Sequence, residues 1–457
     1  MYQYTFCAGN DDHGRQSGWP RWRGLRLLPR RALTALVVLR RPPTLVKAAS
    51  ALLVVVALLS SATADTAAPT TLGARLSTVD RPPMGWNSWN TFGCAIDETK
   101  ILAAADALVS SGMRDAGYRY VVVDDCWQAP TRATDGSLLA DPVRFPHGMA
   151  ALGARLHALG LQFGIYQAPG AQTCAEFAGT MPGATGARGH EEQDARTFAA
   201  WGVDYLKYDW CSPDGSITDQ AEAFARMDRA LRATGRPIVY SVNPNSAHEN
   251  TGPLYDWGQV ADLWRTTEDI TDAWSTACTA DCGMGVTDIL DVEAPLWPQA
   301  GPGRWNDPDM LEVGVRGTFT PTENRAHLAM WAMLAAPLMA GNDVTTMPSD
   351  VRAVLTDPDV LALDQDPLGH QARRVRTDGW TDVWARPLAD GSTAVALLNR
   401  TDTAIVTTTT AEEAGAPESD RYTLFDLWTK TTTTTEGPIS ASVPPHGAVI
   451  FRIRPHA

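Results

Sequence analysis

Two textures alternate along the chain from Pro82 to about Asp366. One is a set of short β-branched and aromatic runs: Tyr118–Val123, Leu161–Tyr166, Val203–Tyr208, Pro237–Ser241 and Ala261–Arg265. Runs of this kind predict strands. The other texture places apolar residues at helical spacing over Asp97–Ser111, Met149–Ala158, Glu191–Trp201 and Thr218–Thr234. Gly112, Gly160, Gly202 and Gly235 follow as stop signals. Strands alternating with helices predict a parallel sheet. Continuous apolar strands with polar residues at their C-terminal ends favour a (β/α)8 TIM barrel, although periodicity alone also fits an open sheet.

The texture changes after Asp366. Trp384–Asn399 predicts a hairpin around Asp390-Gly391. Thr407–Thr410 and Thr431–Thr435 are threonine-rich, and Ala448–Ile453 predicts a last strand. These predict a C-terminal antiparallel β-sandwich domain. The expected organisation is therefore a leader (1–64), a small polar linker (65–81), a catalytic barrel (82–366) and a sandwich (367–457), with no internal repeat.

The leader has the order of a secretory signal: basic residues to Lys47, the apolar run Ala51–Leu59, then Ala62-Thr63-Ala64. That run is too short to span a bilayer. The Arg-rich stretch before it suggests a true start nearer Val37 or Val38. The expected location is extracellular. The formal net charge of −14 argues against a nucleic-acid or anionic-membrane partner. Six of the seven cysteines follow the leader, and an even number in an exported chain predicts disulfides. No metal-ligand pattern is present among them, so neither a metal nor another cofactor is expected.

Acidic residues collect where predicted strands end: Asp124-Asp125, Asp209, Glu268-Asp269, and Asp307 with Asp309. In a barrel these ends meet on one face. Several carboxylates in one pocket suit glycoside hydrolysis, in which one attacks the anomeric carbon and a second protonates the leaving oxygen. Side chains alternate on a strand, so Tyr205, Lys207 and Asp209 share a face. Lys207 beside Asp209 is expected to favour its ionised form. Trp86, Trp89, Trp127 and Tyr166 are candidates to stack on sugar, with core packing as the alternative.

These residues stand in recognisable motifs. Pro83-Met84-Gly85-Trp86-Asn87-Ser88-Trp89, Val123-Asp124-Asp125-Cys126-Trp127, Gly164-Ile165-Tyr166, Leu206-Lys207-Tyr208-Asp209, Trp264-Arg265 with Asp269, and Trp305–Leu311 run in order. So do Ala336-Pro337-Leu338, Asn342-Asp343 and Asp364–Gly369. The ordered set resembles the α-galactosidases (melibiases) of glycoside hydrolase family 27. The resemblance implies a retaining enzyme with Asp209 as nucleophile and Asp269, four residues after Arg265, as acid/base. It implies that Asp124 and Asp125 bind the 4- and 6-hydroxyls of galactose. Lys207, Arg265 and Asp309 resemble further sugar-binding positions, and Trp86 and Tyr166 shape the pocket. Asp309 has a second reading as a loop anchor, and Arg265 one as an ion-pair partner. The resemblance also implies disulfides Cys94–Cys126 and Cys174–Cys211, the second tethering a loop two residues beyond Asp209.

One departure stands out. Family galactosidases commonly carry Cys-Glu-Trp after the fifth strand, facing the sugar 2-position. This chain has Val242-Asn243-Pro244-Asn245-Ser246. Asn243 then becomes the candidate contact there, and Cys278–Cys282 a candidate local bridge. The expected substrate is an α-galactoside oligo- or polysaccharide. The alternatives are an α-N-acetylgalactosaminidase, a β-L-arabinopyranosidase or an isomaltodextranase on the same barrel, or a non-catalytic sugar-binding protein.

Overall fold

The computed structural model describes residues 79–245, 252–277 and 283–456. The leader and the proposed Cys278–Cys282 bridge lie outside the described residues.

Eight strands form one sheet: β1 (Met84–Asn87), β2 (Tyr120–Val123), β3 (Gln162–Gln167), β4 (Tyr205–Asp209), β5 (Val239–Asn243), β6 (Leu263–Arg265), β7 (Trp305–Asp307) and β8 (Leu338–Ala340). They follow the order β7-β6-β5-β4-β3-β2-β1-β8. Every pairing is parallel. Leu311, just past β7, closes the ring: it bridges Ala340 of β8. The sheet is therefore a barrel and not an open sheet.

The predicted strand runs begin one or two residues early, for a physical reason. Tyr118, Leu161 and Val203 each donate their N–H back to the preceding helix, at Met113, Leu156 and Phe198. The glycine before Leu161 and Val203 is left-handed (Gly160 φ 73°, Gly202 φ 78°). These apolar residues plug a helix C-terminus before the strand starts. Three strands escaped prediction. β1, β7 and β8 hold only three or four residues each, too few to show a period. The helix Pro321–Leu334 was also missed. It is buried almost all round between barrel and sandwich, so it lacks a polar face.

Alternation divides the barrel strands. Val121, Val123, Leu206, Tyr208, Tyr240, Val242 and Trp264 join the large core shared with the helices. Val122, Tyr205, Val239, Leu263, Trp305 and Met339 form a separate inner cluster. Two residues further along the same strands come Asp124, Lys207, Ser241, Arg265 and Asp307, all at the mouth. An apolar floor thus carries a polar rim.

The C-terminal strands are β9 (Arg373–Thr377), β10 (Thr381–Pro387), β11 (Thr393–Asn399), β12 (Ile405–Thr410), β13 (Tyr422–Asp426), β14 (Thr432–Thr435), β15 (Pro438–Val443) and β16 (Ala448–Pro455). They form a six-stranded sheet, β14-β13-β16-β11-β10-β9, and a β12–β15 pair. All pairings are antiparallel. On β11, Val395 and Leu397 face the sandwich core, while Ala394, Ala396 and Leu398 join the barrel core. Asn399, which opens an Asn-Arg-Thr sequon, is fully buried. Its Nδ2 donates to the carbonyls of Thr403, Val443 and Pro444. It is a structural amide in the folded chain.

Candidate active site

The deep side of the pocket is built on β1, β2 and β4. Asp124 Oδ2 accepts from Asn87 Nδ2 at 2.6 Å and from Lys207 Nζ at 2.9 Å. Its Oδ1 accepts the N–H of Asp125 at 2.8 Å. Lys207 Nζ lies 3.7 Å from Asp209 Oδ2 and 5.5 Å from the Tyr166 ring centre. Burial alone would lower the Lys207 pKa, but Asp124 and Asp209 raise it above the ordinary lysine range. Lys207 favours the ionised form of Asp209, as expected, but is outweighed. Burial pushes the Asp209 carboxyl up to about 7, and the charges of Asp124 and Asp269 add to this, outweighing Lys207 and Arg265. Its Oδ1 is buried and has no hydrogen-bond partner among the described residues.

The opposite side is built on β6 and β7. Arg265 lies 2.9 Å from Asp309 Oδ2 and 3.2 Å from Asp269 Oδ1. Asp309 Oδ2 also accepts the Ile270 N–H at 2.8 Å, and Oδ1 accepts the Met310 N–H at 2.8 Å. Its φ of +84° is left-handed. Asp309 thus anchors both its own loop and the one that carries Asp269. Asp307, two residues earlier, accepts the Asp309 N–H at 2.9 Å, and burial pushes its carboxyl up to about 6. The Asp209 side chain is 6% exposed and that of Asp269 is 67% exposed.

The remaining candidates take distinct places. Both Asp125 oxygens accept backbone N–H groups, from Cys126 at 2.6 Å and Ala175 at 2.8 Å. Burial raises this carboxyl to about 6. Asp125 fastens the loop after β3 to the end of β2. Tyr166 Oη accepts from Cys174 N–H and lies 3.4 Å from Cys211 Sγ. Trp86 Nε1 donates to the Asn342 carbonyl at 2.8 Å. Asn243 is in register with Asp209 on the neighbouring strand, and its Oδ1 accepts from Asn245 N–H. Trp127 is a core residue: it is fully buried and packs edge-on against Trp201 at 5.6 Å. Cys94–Cys126 and Cys174–Cys211 are bonded. Asn87 was not singled out in the sequence, and Asp307 was named only among the acids at strand ends. Both stand in quoted motifs at strand ends, which was the available signal.

A barrel with an apolar floor, and carboxylates from four strand ends around two cations, defines a glycoside hydrolase class of site. Residues 81–366 match the family described as alpha galactosidase A, and residues 378–453 match its C-terminal beta sandwich domain. The chain belongs to this melibiase family, the α-galactosidases of glycoside hydrolase family 27. It is 41% identical to alpha-galactosidase A of Cellvibrio japonicus over 389 residues, 82% of this chain and 92% of that one. The crystal structure of alpha-galactosidase I from Mortierella vinacea matches with a TM-score of 0.77 and 34% identity, covering 84% of this chain and 99% of that chain. That of the Saccharomyces cerevisiae α-galactosidase with raffinose matches with a TM-score of 0.75 and 31% identity, covering 82% and 98%.

Proposed function

We propose that this chain is a secreted, retaining exo-α-galactosidase that removes terminal α-D-galactosyl residues by double displacement. In this reading Asp209 Oδ1 attacks the anomeric carbon and forms a glycosyl-enzyme, while Asp269 protonates the departing oxygen. Asp269 then takes a proton from a water whose oxygen attacks the same carbon, the ester bond to Asp209 breaks, and galactose leaves with its configuration retained. Lys207 and Asp124 present a donor and an acceptor for the 4- and 6-hydroxyls. Arg265 balances the charge of Asp269 and Asp309 as the acid/base cycles. Asp125 and Asp309 act mainly by fixing loops, since their oxygens already accept backbone N–H groups.

The observation that carries the reading is the state of Asp209: buried at a strand end, 3.7 Å from Lys207, with one oxygen unpartnered among the described residues. A carboxylate stripped of water and of hydrogen bonds is a stronger nucleophile. The yeast relative determined with raffinose supports a terminal α-galactoside as substrate.

The test is a panel of p-nitrophenyl glycosides with the chain from Asp65. Release from the α-D-galactopyranoside should far exceed release from the α-N-acetylgalactosaminide and β-L-arabinopyranoside. Proton NMR should show α-galactose as the first-formed anomer. β-Galactose first would contradict retention. Faster release from either of the other two glycosides would move the specificity to the Asn243 segment. For secretion, protein from the medium should begin at Asp65, consistent with the leader pattern and two disulfides.

A further inference from the structure

Asp269 has little to hold it directly. Its side chain is 67% exposed, and among the described residues its carboxylate bonds Arg265 alone, at 3.2 Å. Its position is therefore set by the backbone that follows. The Asp269 carbonyl accepts the Met284 N–H at 2.9 Å, and Thr271 N–H donates to the Met284 carbonyl at 2.9 Å. Val286 N–H donates to Ala273, and Thr287 bonds the Trp274 carbonyl through both its N–H and Oγ1. The segment from Asp269 to Trp274 is thus tied to the start of the helix Val286–Glu293.

The Trp274 side chain is the corner of this segment, and the C-terminal domain covers it. The ring of His446 stacks on Trp274, with centroids 5.0 Å apart and planes 15° apart. His446 comes from the turn between β15 and β16, where its φ of +50° is left-handed. Both ring nitrogens face carboxylates. Nδ1 lies 2.7 Å from Glu323 Oε1, and Nε2 lies 3.0 Å from Asp402 Oδ1. Glu323 is itself fixed, because its Oε2 accepts Thr320 N–H and caps the helix Pro321–Leu334. The imidazole is thus clamped at its edges while its face presses on Trp274.

We propose that His446 of the β-sandwich is a positioning residue for Asp269, acting through Trp274. The proposal rests on the reading of Asp269 as acid/base. Losing the stack frees the Asp269 segment to move, and proton delivery suffers more than nucleophilic attack, since Asp209 is held by β4. The signature is a dependence on the leaving group. A sugar leaving group needs the proton and a 2,4-dinitrophenolate does not.

The experiment compares kcat/KM for melibiose and for 2,4-dinitrophenyl α-D-galactoside. His446→Ala should lose about tenfold on melibiose and less than about twofold on the aryl galactoside, as expected for a displaced catalytic group. In an Asp269→Ala background, His446→Ala should cost nothing further on either substrate. Trp274→Phe, which shortens the stacking ring, should reproduce the ratio and serves if His446→Ala does not fold. Equal losses on both substrates, no loss on melibiose, or the same factor in the Asp269→Ala background would overturn the proposal. Asp269→Ala alone keeps the two claims apart. If its own loss ignores the leaving group, the acid/base reading fails and the proposal with it. If its loss follows the leaving group while that of His446→Ala does not, the proposal alone fails.

Discussion

On the β4 side of the pocket, Asp209 stands on a strand, 6% exposed, beside a lysine shared with Asp124. On the β6 side, Asp269 stands on a loop, 67% exposed, and among the described residues its side chain bonds Arg265 alone. The two carboxylates differ in what holds them. Asp209 is fixed by ladder hydrogen bonds and by a buried charge cluster. Asp269 is fixed at second hand, through Asp309, the Ile270–Met284 bridge and the stack on Trp274. The difference suits the proposed division of labour. A nucleophile has one fixed target atom, whereas an acid/base must exchange protons with solvent and serve leaving groups of varied size.

Substitutions sharpen or break this comparison. Asp209→Asn replaces the attacking carboxylate by an uncharged, poorly nucleophilic amide, and kcat should fall on the order of 10⁴-fold on every substrate, whatever the leaving group. A loss confined to poor leaving groups would exchange the roles of the two sides. Lys207→Met leaves Asp124 and Asp209 buried without their counter-charge, and denaturant unfolding should show a loss of about 3–5 kcal/mol. It also removes the larger of the two charges that lower the Asp209 pKa, so the acid limb of kcat/KM should move to higher pH. An unmoved limb would show that Asp209 does not set it.

Cys174→Ser with Cys211→Ser unties the loop beside Asp209, and the expected cost is about 2–4 kcal/mol. The corresponding loss of activity should be similar for all leaving groups, because the tether lies on the β4 side.

The smallest effect concerns Glu312, whose Oε1 accepts from Asn90. Burial pushes this carboxyl up to about 8; Asn90 and Arg316 lower it, and Asp309 and Asp272 raise it. A carboxyl raised by folding stabilises the fold fully below the ordinary carboxylate range and loses that contribution as pH rises through about 8. Glu312→Gln cannot lose a proton. Its Tm should therefore fall less than that of the wild type between about pH 5 and about pH 8. Parallel Tm curves would show that Glu312 does not titrate in this window.

The barrel was legible because its longer strands are apolar runs that end in acids, and because helices stop at left-handed glycines. The candidate site was legible as motifs, since Asp124, Lys207, Asp209, Arg265 and Asp309 stand at or just past strand ends. What stayed hidden depends on contacts distant in sequence. Asn87 meets Asp124 across 37 residues, and Lys207 meets Asp124 across 83. The loop-anchoring geometry of Asp125 depends on Ala175, 50 residues away. Lys207 favours the ionised form of Asp209, as sequence proximity suggested, but the pocket's burial, invisible in a linear motif, outweighs it. The buried state of Asn399 was hidden for the same reason, since two of its three carbonyl partners come from β15 and the turn after it.

The most direct measurement is to trap the reaction half-way. Incubation with 2-deoxy-2-fluoro-α-D-galactosyl fluoride, followed by proteolysis and mass spectrometry, locates the covalent sugar. The account predicts one galactosyl ester, on Asp209, still formed at a measurable rate in Asp269→Ala. A label on Asp269, or on Asp307 or Asp309, would contradict it.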